Sequence, residues 1–332
     1  MKTITNKWIF LVILIFIMQI SANFSDYKLV FEDKHYLMDS ILQVLATDLD
    51  NDQHDEFVLA GKNDIAREVF LYWLTVIPES KPVVQWQSEN LFEEHNTIWA
   101  ATGKFTSDKN QLLALSDSRY YLYQFENNNV HLVKQEKHNF VANKDGRILN
   151  IASGDVDGDG QTELIIAKVG QITAKMYNGF IQIWKFKDGQ LELVNESGLI
   201  GNIRGITSGD IDRDDQAEIF AEEGLKFAPG NIHVLKYSNQ KLAEIYCLKK
   251  ADKGPAYGMQ VKNFPNGMRL VIATATGFID FFRWDKGSLI PVDKEIVLER
   301  DLMSIATINT NNDQEPELLV SGYPQDFLIL AK

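Results

Sequence analysis

Aspartates at alternate positions, followed four residues later by a glutamate, recur along this chain. The clearest cases are Asp155, Asp157, Asp159 with Glu163, and Asp210, Asp212, Asp214 with Glu218. Asp48, Asp50, Asp52 and Glu56 repeat the pattern, and Asn309, Asn311, Asp313 and Glu317 repeat it with two acids softened to amides. Alternation in a tight turn gathers the carboxylates on one side, and the backbone carbonyl of the seventh position (Gln161, Gln216, His54 or Glu315) can join them. A hard cation taking 6–8 oxygens suits such a set, so the chemistry expected is Ca2+ binding at up to four loops. A single acidic turn is more often a solvated Asx-rich hairpin; four copies in one register argue against that reading. An EF-hand is excluded, because it needs a bidentate glutamate at position 12, where the third loop has Ile166, and flanking helices where this chain reads as strand. Gly158 and Gly160 let the backbone fold round an ion, whereas Gln53, Asp215 and Gln314 stand at the sixth position of the other loops, a turn that can require positive φ.

The loops belong to a repeat. Two further copies have lost the acids, with Lys104 and Asn263 at their first position, and the six first positions are spaced by 46 to 56 residues, a propeller-blade length. Repeat cores lie near 41–60, 97–115, 148–167, 203–221, 256–273 and 302–320. Each acidic loop is followed by short β-branched and aromatic runs, such as Glu163–Lys168, Gly179–Phe186 and Gln190–Asn195, bounded by turn residues. Four antiparallel strands repeated radially make a β-propeller, which leaves only short edges. The expected fold is all-β, with six four-stranded blades; a seventh stays open if Tyr27–Tyr36 hides a degenerate copy. The last copy ends after three strands, so the strand Tyr27–Glu32 is expected to close the ring beside Phe327–Lys332. Trp73, Trp184, Trp284, Phe282 and Tyr237 recur at blade-equivalent positions and are expected to pack between blades.

The repeat resembles the FG-GAP/VCBS family, the blade module of integrin alpha-subunit propellers. Its motif, D-x-D/N-x-D/N-G-x-x-D/E, is met in full at 155–163; elsewhere the sixth position departs, and the Phe-Gly and Gly-Ala-Pro signatures are eroded, Gly322-Tyr-Pro324 being the nearest echo. The resemblance implies calcium-stabilised blades and a binding role, with ligands meeting the face opposite the calcium loops. The connections reaching that face carry Trp99, Arg147, Arg204, Tyr257 and Arg300, residue types enriched at interaction hot spots, although the arginines could also serve only to neutralise local acids. The insertion Lys168–Asn178 is a further candidate for specificity, and Glu222-Glu223-Gly224 reads as a solvated loop.

Composition narrows the partners. Lys plus Arg number 33 against 46 Asp plus Glu, a net charge of −13, which argues against nucleic acid and anionic membrane surfaces. One cysteine, Cys247, excludes an intrachain disulfide and cysteine-rich metal sites. Residues 1–22 carry Lys2 and Lys7, an apolar run Trp8–Met18, then Ser21 and Ala22, the layout of a secretory signal peptide. The apolar run is too short to cross a bilayer as a helix, so the expected product is residues 23–332, a single propeller domain with no membrane span, secreted or in a periplasmic or extracellular compartment. The expected function is binding or assembly, recognising a protein or glycan partner at the cell surface or envelope. The alternative is a propeller-based carbohydrate-active enzyme, a lyase or hydrolase, for which no nucleophile motif or distinguishable carboxylate pair stands out.

Overall fold

The computed structural model describes residues 27–332 apart from 35–37, 50–54, 64, 77–80, 93–97, 117, 127–128, 139, 141–146, 174–175, 225–229, 250–253, 293–294, 310–314 and 324–325, and the side chains of 170–178. Residues 1–22, expected to form a signal segment, lie outside the described residues. All regular structure among them is β, in six antiparallel sheets that follow one another along the chain as the blades of a propeller.

Blade 3 shows the plan: an inner strand Arg147–Gly154, then Glu163–Thr173, Met176–Lys187 and the outer Gln190–Glu196, each paired with its predecessor. The middle strands are sandwiched between neighbouring blades, so both faces are covered and they read as unbroken apolar runs. Leu164, Ile165, Ile166 and Ala167 are all fully buried. Outer strands border solvent and read as mixed polar sequence, as in Gln190–Glu196. Every core therefore forms between two blades. Trp73 of blade 1 meets Phe125 of blade 2 edge-on at 5.3 Å, and Trp284 of blade 5 meets Tyr246 of blade 4 at 5.8 Å. The expected role of the strand aromatics is met.

The inner strands of blades 1 to 6, Ser40–Thr47, Trp99–Gly103, Arg147–Gly154, Ile203–Gly209, Ala256–Phe264 and Leu302–Ile308, each touch the next, and the sixth touches the first. Polar side chains stitch this hub. Gln43 accepts from the Ala100 N–H at 2.7 Å, Ser208 donates to the Ser153 carbonyl at 2.6 Å, and the Val44 N–H donates to Ser304 at 3.1 Å. Strands this close need glycine at their contact: a Cβ on Gly258 would lie 2.6 Å from the Ile305 nitrogen.

Closure follows expectation. Lys28–Lys34 pairs antiparallel with Asp326–Ala331 and supplies the outer strand of blade 6. Tyr27 is buried, stacks on Phe281 of blade 5 with centroids 6.0 Å apart, and donates its hydroxyl to the Pro316 carbonyl at 3.0 Å. The ring has six blades; the segment held open for a seventh is this closing strand.

Two local readings are corrected. Asn263 opens no nine-residue loop: it pairs with Met268 inside the strands of blade 5, which turn tightly between Phe264 and Gly267. Glu222 and Glu223 belong to the second strand of blade 4, and Glu222 is fully buried. In blade 5 the outer strand is also broken, Ser288–Pro291 and Ile296–Val297 pairing with successive parts of Phe278–Asp285.

Candidate functional site: acidic loops and channel mouth

Each inner strand starts at one face of the disc and ends at the other. The acidic loops follow its end, and the residues expected to meet a partner stand at its start, so the two candidate sites lie on opposite faces.

The loop of blade 3 is pinned by its second residue, Val156, which is buried between blades 3 and 4; Leu49, Phe105 and Ile211, at the equivalent places of blades 1, 2 and 4, are each buried against the next blade. The Asp155 carboxylate then collects the turn's N–H groups, accepting from Gly158 at 2.8 Å, Asp159 at 3.1 Å and Gly160 at 2.7 Å. Gly158 and Gly160 have φ of 76° and 86°; in blade 4 the same places are Arg213 and Asp215, with φ of 64° and 68°, so the suspected strain at the sixth position is real there. Glu163 is buried and accepts from the Val156 N–H at 2.9 Å; Glu56 braces Leu49 at 2.6 Å and Glu218 braces Ile211 at 3.2 Å in the same way.

The centre of the carboxylate set holds an ammonium. Lys185, from the third strand of blade 3, places Nζ 2.8 Å from Asp157, 2.7 Å from Asp159 and 2.7 Å from Glu163. In blade 4, Lys236 does the same, 3.2 Å from Asp212, 2.5 Å from Asp214 and 2.7 Å from Glu218. Burial lowers the Lys185 pKa, but its three carboxylate partners outweigh that and hold it above the usual lysine value. Burial pushes the Glu163 carboxyl up to about 7, opposed by Lys185 and the Val156 N–H. Lys236 holds Asp214 below the usual carboxylate range. Tested against calcium, the donor chemistry of both loops fits, since Asp155, Asp157 and Glu163, like Asp210, Asp212 and Glu218, bring ligand oxygens within 4.8 Å of one another. The space does not fit, because the lysine nitrogen already stands against two of the three in each loop, Asp157 and Glu163 or Asp212 and Glu218.

The seventh-position side chains do something the sequence reading did not assign. Gln161 donates its amide to the Phe105 carbonyl at 2.5 Å, and Gln216 donates to the Asp157 carbonyl at 3.3 Å, each reaching back to the loop of the preceding blade. Asn110 likewise donates to the Asp48 carbonyl at 2.5 Å. In blades 1 and 6 the expected ligands Asp50, Asp52, His54, Asn311 and Asp313 lie outside the described residues. Glu317 is buried like Glu163, and Glu315 receives Lys332 at 2.7 Å.

At the opposite face the inner strands of all six blades surround a cavity of about 640 Å³, lined at its mouth by Trp99, Arg147, Arg204, Tyr257, Asp301 and Tyr323. Four of the five expected partner residues are thus brought together. Arg300 is not among the lining residues; its guanidinium donates to Glu32 at 2.8 Å and Asp326 at 2.9 Å, in the seam that closes the ring. Two donors at the mouth, Trp99 Nε1 and Arg204 Nε, are buried with no hydrogen-bond partner among the described residues. Burial pushes the Tyr257 hydroxyl up, with Arg204 pulling it down and Glu222 and Asp301 raising it further. The Lys168–Asn178 insertion extends the middle strands of blade 3, the longest strands among the described residues, on this same face.

No family model matches the sequence, and no curated protein matches it. Among solved structures the chain is similar to BBS1N in the crystal structure of BBS1N in complex with ARL6DN, soaked with mercury. The TM-score is 0.52 with 11% identity, over 92% of this chain and 97% of that one. At that identity the likeness is one of fold, and with the six sheets above it establishes this chain as a β-propeller.

Proposed function

We propose that this propeller is an exported binding module that docks a protein partner on its channel-mouth face. The observation carrying this is the mouth itself: Trp99, Arg147, Arg204 and Tyr257 converge on one cavity, and two of its buried donors, Trp99 Nε1 and Arg204 Nε, have no partner among the described residues. A buried donor without an acceptor costs free energy, and a bound partner supplying carbonyl or carboxylate oxygens would recover it. Arginine and aromatic side chains suit the centre of such an interface. The tall hairpin of blade 3 offers an edge beside it, and the solved structure the chain resembles is itself that of a complex, of BBS1N with ARL6DN.

Export rests on residues 1–22, whose charged start, apolar run and small-residue end form a signal layout. Kinship with FG-GAP/VCBS blades rests on the motif at 155–163. Calcium is proposed for the loop of blade 1, with Asp48, Asp50, Asp52, the His54 carbonyl and Glu56 as ligands, and more weakly for the Asn309–Glu317 loop, whose ligand charge is lower.

The test is co-purification of the tagged chain with its partner from the envelope of its own cells, wild type against the Arg147→Glu/Arg204→Glu double variant. The reading expects a specific protein with the wild type and its loss from a double variant that keeps the wild-type circular dichroism and melting temperature. Equal recovery with both chains, or recovery of glycan alone, overturns it.

A further inference from the structure

We infer that Lys185 and Lys236 are the resident cations of the loops of blades 3 and 4, filling from within the fold the place that the acidic motif offers to calcium. The two lysines come from equivalent positions. Lys185 stands one residue beyond the Leu164–Trp184 strand pair, and Lys236 one residue beyond the Ile219–Leu235 pair, so the antiparallel register sets each opposite the final glutamate of its own loop. Each nitrogen reaches three carboxylates at 2.5–3.2 Å. Lys185 is 6% exposed, and the glutamates it and Lys236 meet are 1% and 0% exposed. Such acids are not left without a counter-charge, because a buried carboxylate with no partner is costly.

Calcium and ammonium are mutually exclusive here. Calcium binds carboxylate oxygens at about 2.3–2.6 Å, so an ion serving Asp157, Asp159 and Glu163 together would overlap Nζ. The first aspartates, Asp155 and Asp210, stand outside the lysine contacts and receive the N–H groups of their own turns. Blade 1 provides the contrast. There the pair Phe57–Leu74 is followed by Thr75, which carries no charge, and this is the loop for which calcium is proposed. Within one ring, the same motif is thus served by a covalently attached cation in two blades, which would keep them folded whether or not calcium is present.

The experiment counts calcium bound to the purified chain by equilibrium dialysis, for the wild type and for Asp157→Asn, Asp212→Asn, Lys185→Met, and Lys185→Met combined with Asp157→Asn. Neither aspartate variant alone is expected to change the number of ions bound. Lys185→Met, which keeps the stem and removes the charge, is expected to gain about one ion, and the added Asp157→Asn to remove it again. A drop in bound calcium for Asp157→Asn or Asp212→Asn alone overturns the inference, as does a folded Lys185→Met that gains none. Should Lys185→Met not fold, reductive methylation of the wild type decides: Lys185 is expected to be modified at the same rate with and without millimolar calcium, and acceleration by calcium, which would mean the ion expels the lysine, overturns it.

Discussion

The Arg300 guanidinium donates to Glu32, 268 residues earlier, at 2.8 Å and to Asp326 at 2.9 Å, tying the N-terminal strand to the last blade at the rim where the ring closes. These groups are part-exposed, so the pair is a clamp of modest strength, and most of the closing energy lies in Tyr27 and in the strand pairing behind it. Arg300→Met is expected to cost about 1–2 kcal/mol. Deleting residues 27–34 exposes an edge of blade 6 and uncovers Phe327 and Phe281, so it is expected to unfold or aggregate the chain. Thermal melts of the two variants check both; a deletion that melts with the wild type would mean that the ring is closed by something else.

At the hub, spacing is set by glycine. Gly258→Ala puts a methyl group 2.6 Å from the Ile305 nitrogen and 2.7 Å from the Ser304 carbonyl carbon, and backbone cannot swing aside as a side chain can. A loss of about 1–3 kcal/mol is expected. Gly198→Ala is the control, since nothing lies within 4 Å of its added Cβ. Denaturant titration of both should separate them.

Asp215 adopts φ of 68° at a place where blade 3 has Gly160. Its N–H donates to Asp210 at 3.0 Å and would do so from glycine as well. Asp215→Gly is therefore expected to raise stability by up to about 1 kcal/mol, the relief of left-handed backbone outweighing the greater freedom of the unfolded chain. A lower melting temperature would show that the Asp215 side chain makes a contribution larger than the strain.

Calcium removal should act through blade 1. A site that binds only the folded chain adds about 2.7 kcal/mol at a hundredfold excess over its Kd. A chelator is expected to lower the wild-type melting temperature, Asp48→Asn to abolish most of that response, and Asp157→Asn to leave it intact. Superimposable melts with chelator and with added calcium would remove calcium from blade 1 while leaving the lysine pairs of blades 3 and 4 untouched.

The sequence by itself determined the blade plan, because short β-branched and aromatic runs, turn residues and a loop recurring every 46 to 56 residues are local properties that the propeller repeats. The closing strand was legible for a related reason, as the one strand without a blade beside a blade lacking a strand. One misreading was avoidable: Phe264-Pro265-Asn266-Gly267 is a turn sequence, and Asn263 pairs with Met268 across it. The lysines left a trace too, one basic residue in each of the apolar runs Ile-Trp-Lys185-Phe and Val-Leu-Lys236-Tyr of blades 3 and 4. What that trace meant depended on register, which places each lysine opposite its glutamate, and on burial, which gives the pair its strength. Arg300 shows the same limit. Its type and position marked it for the mouth beside Arg147 and Arg204, and only ring closure, by bringing Glu32 to it, turned it into part of the seam.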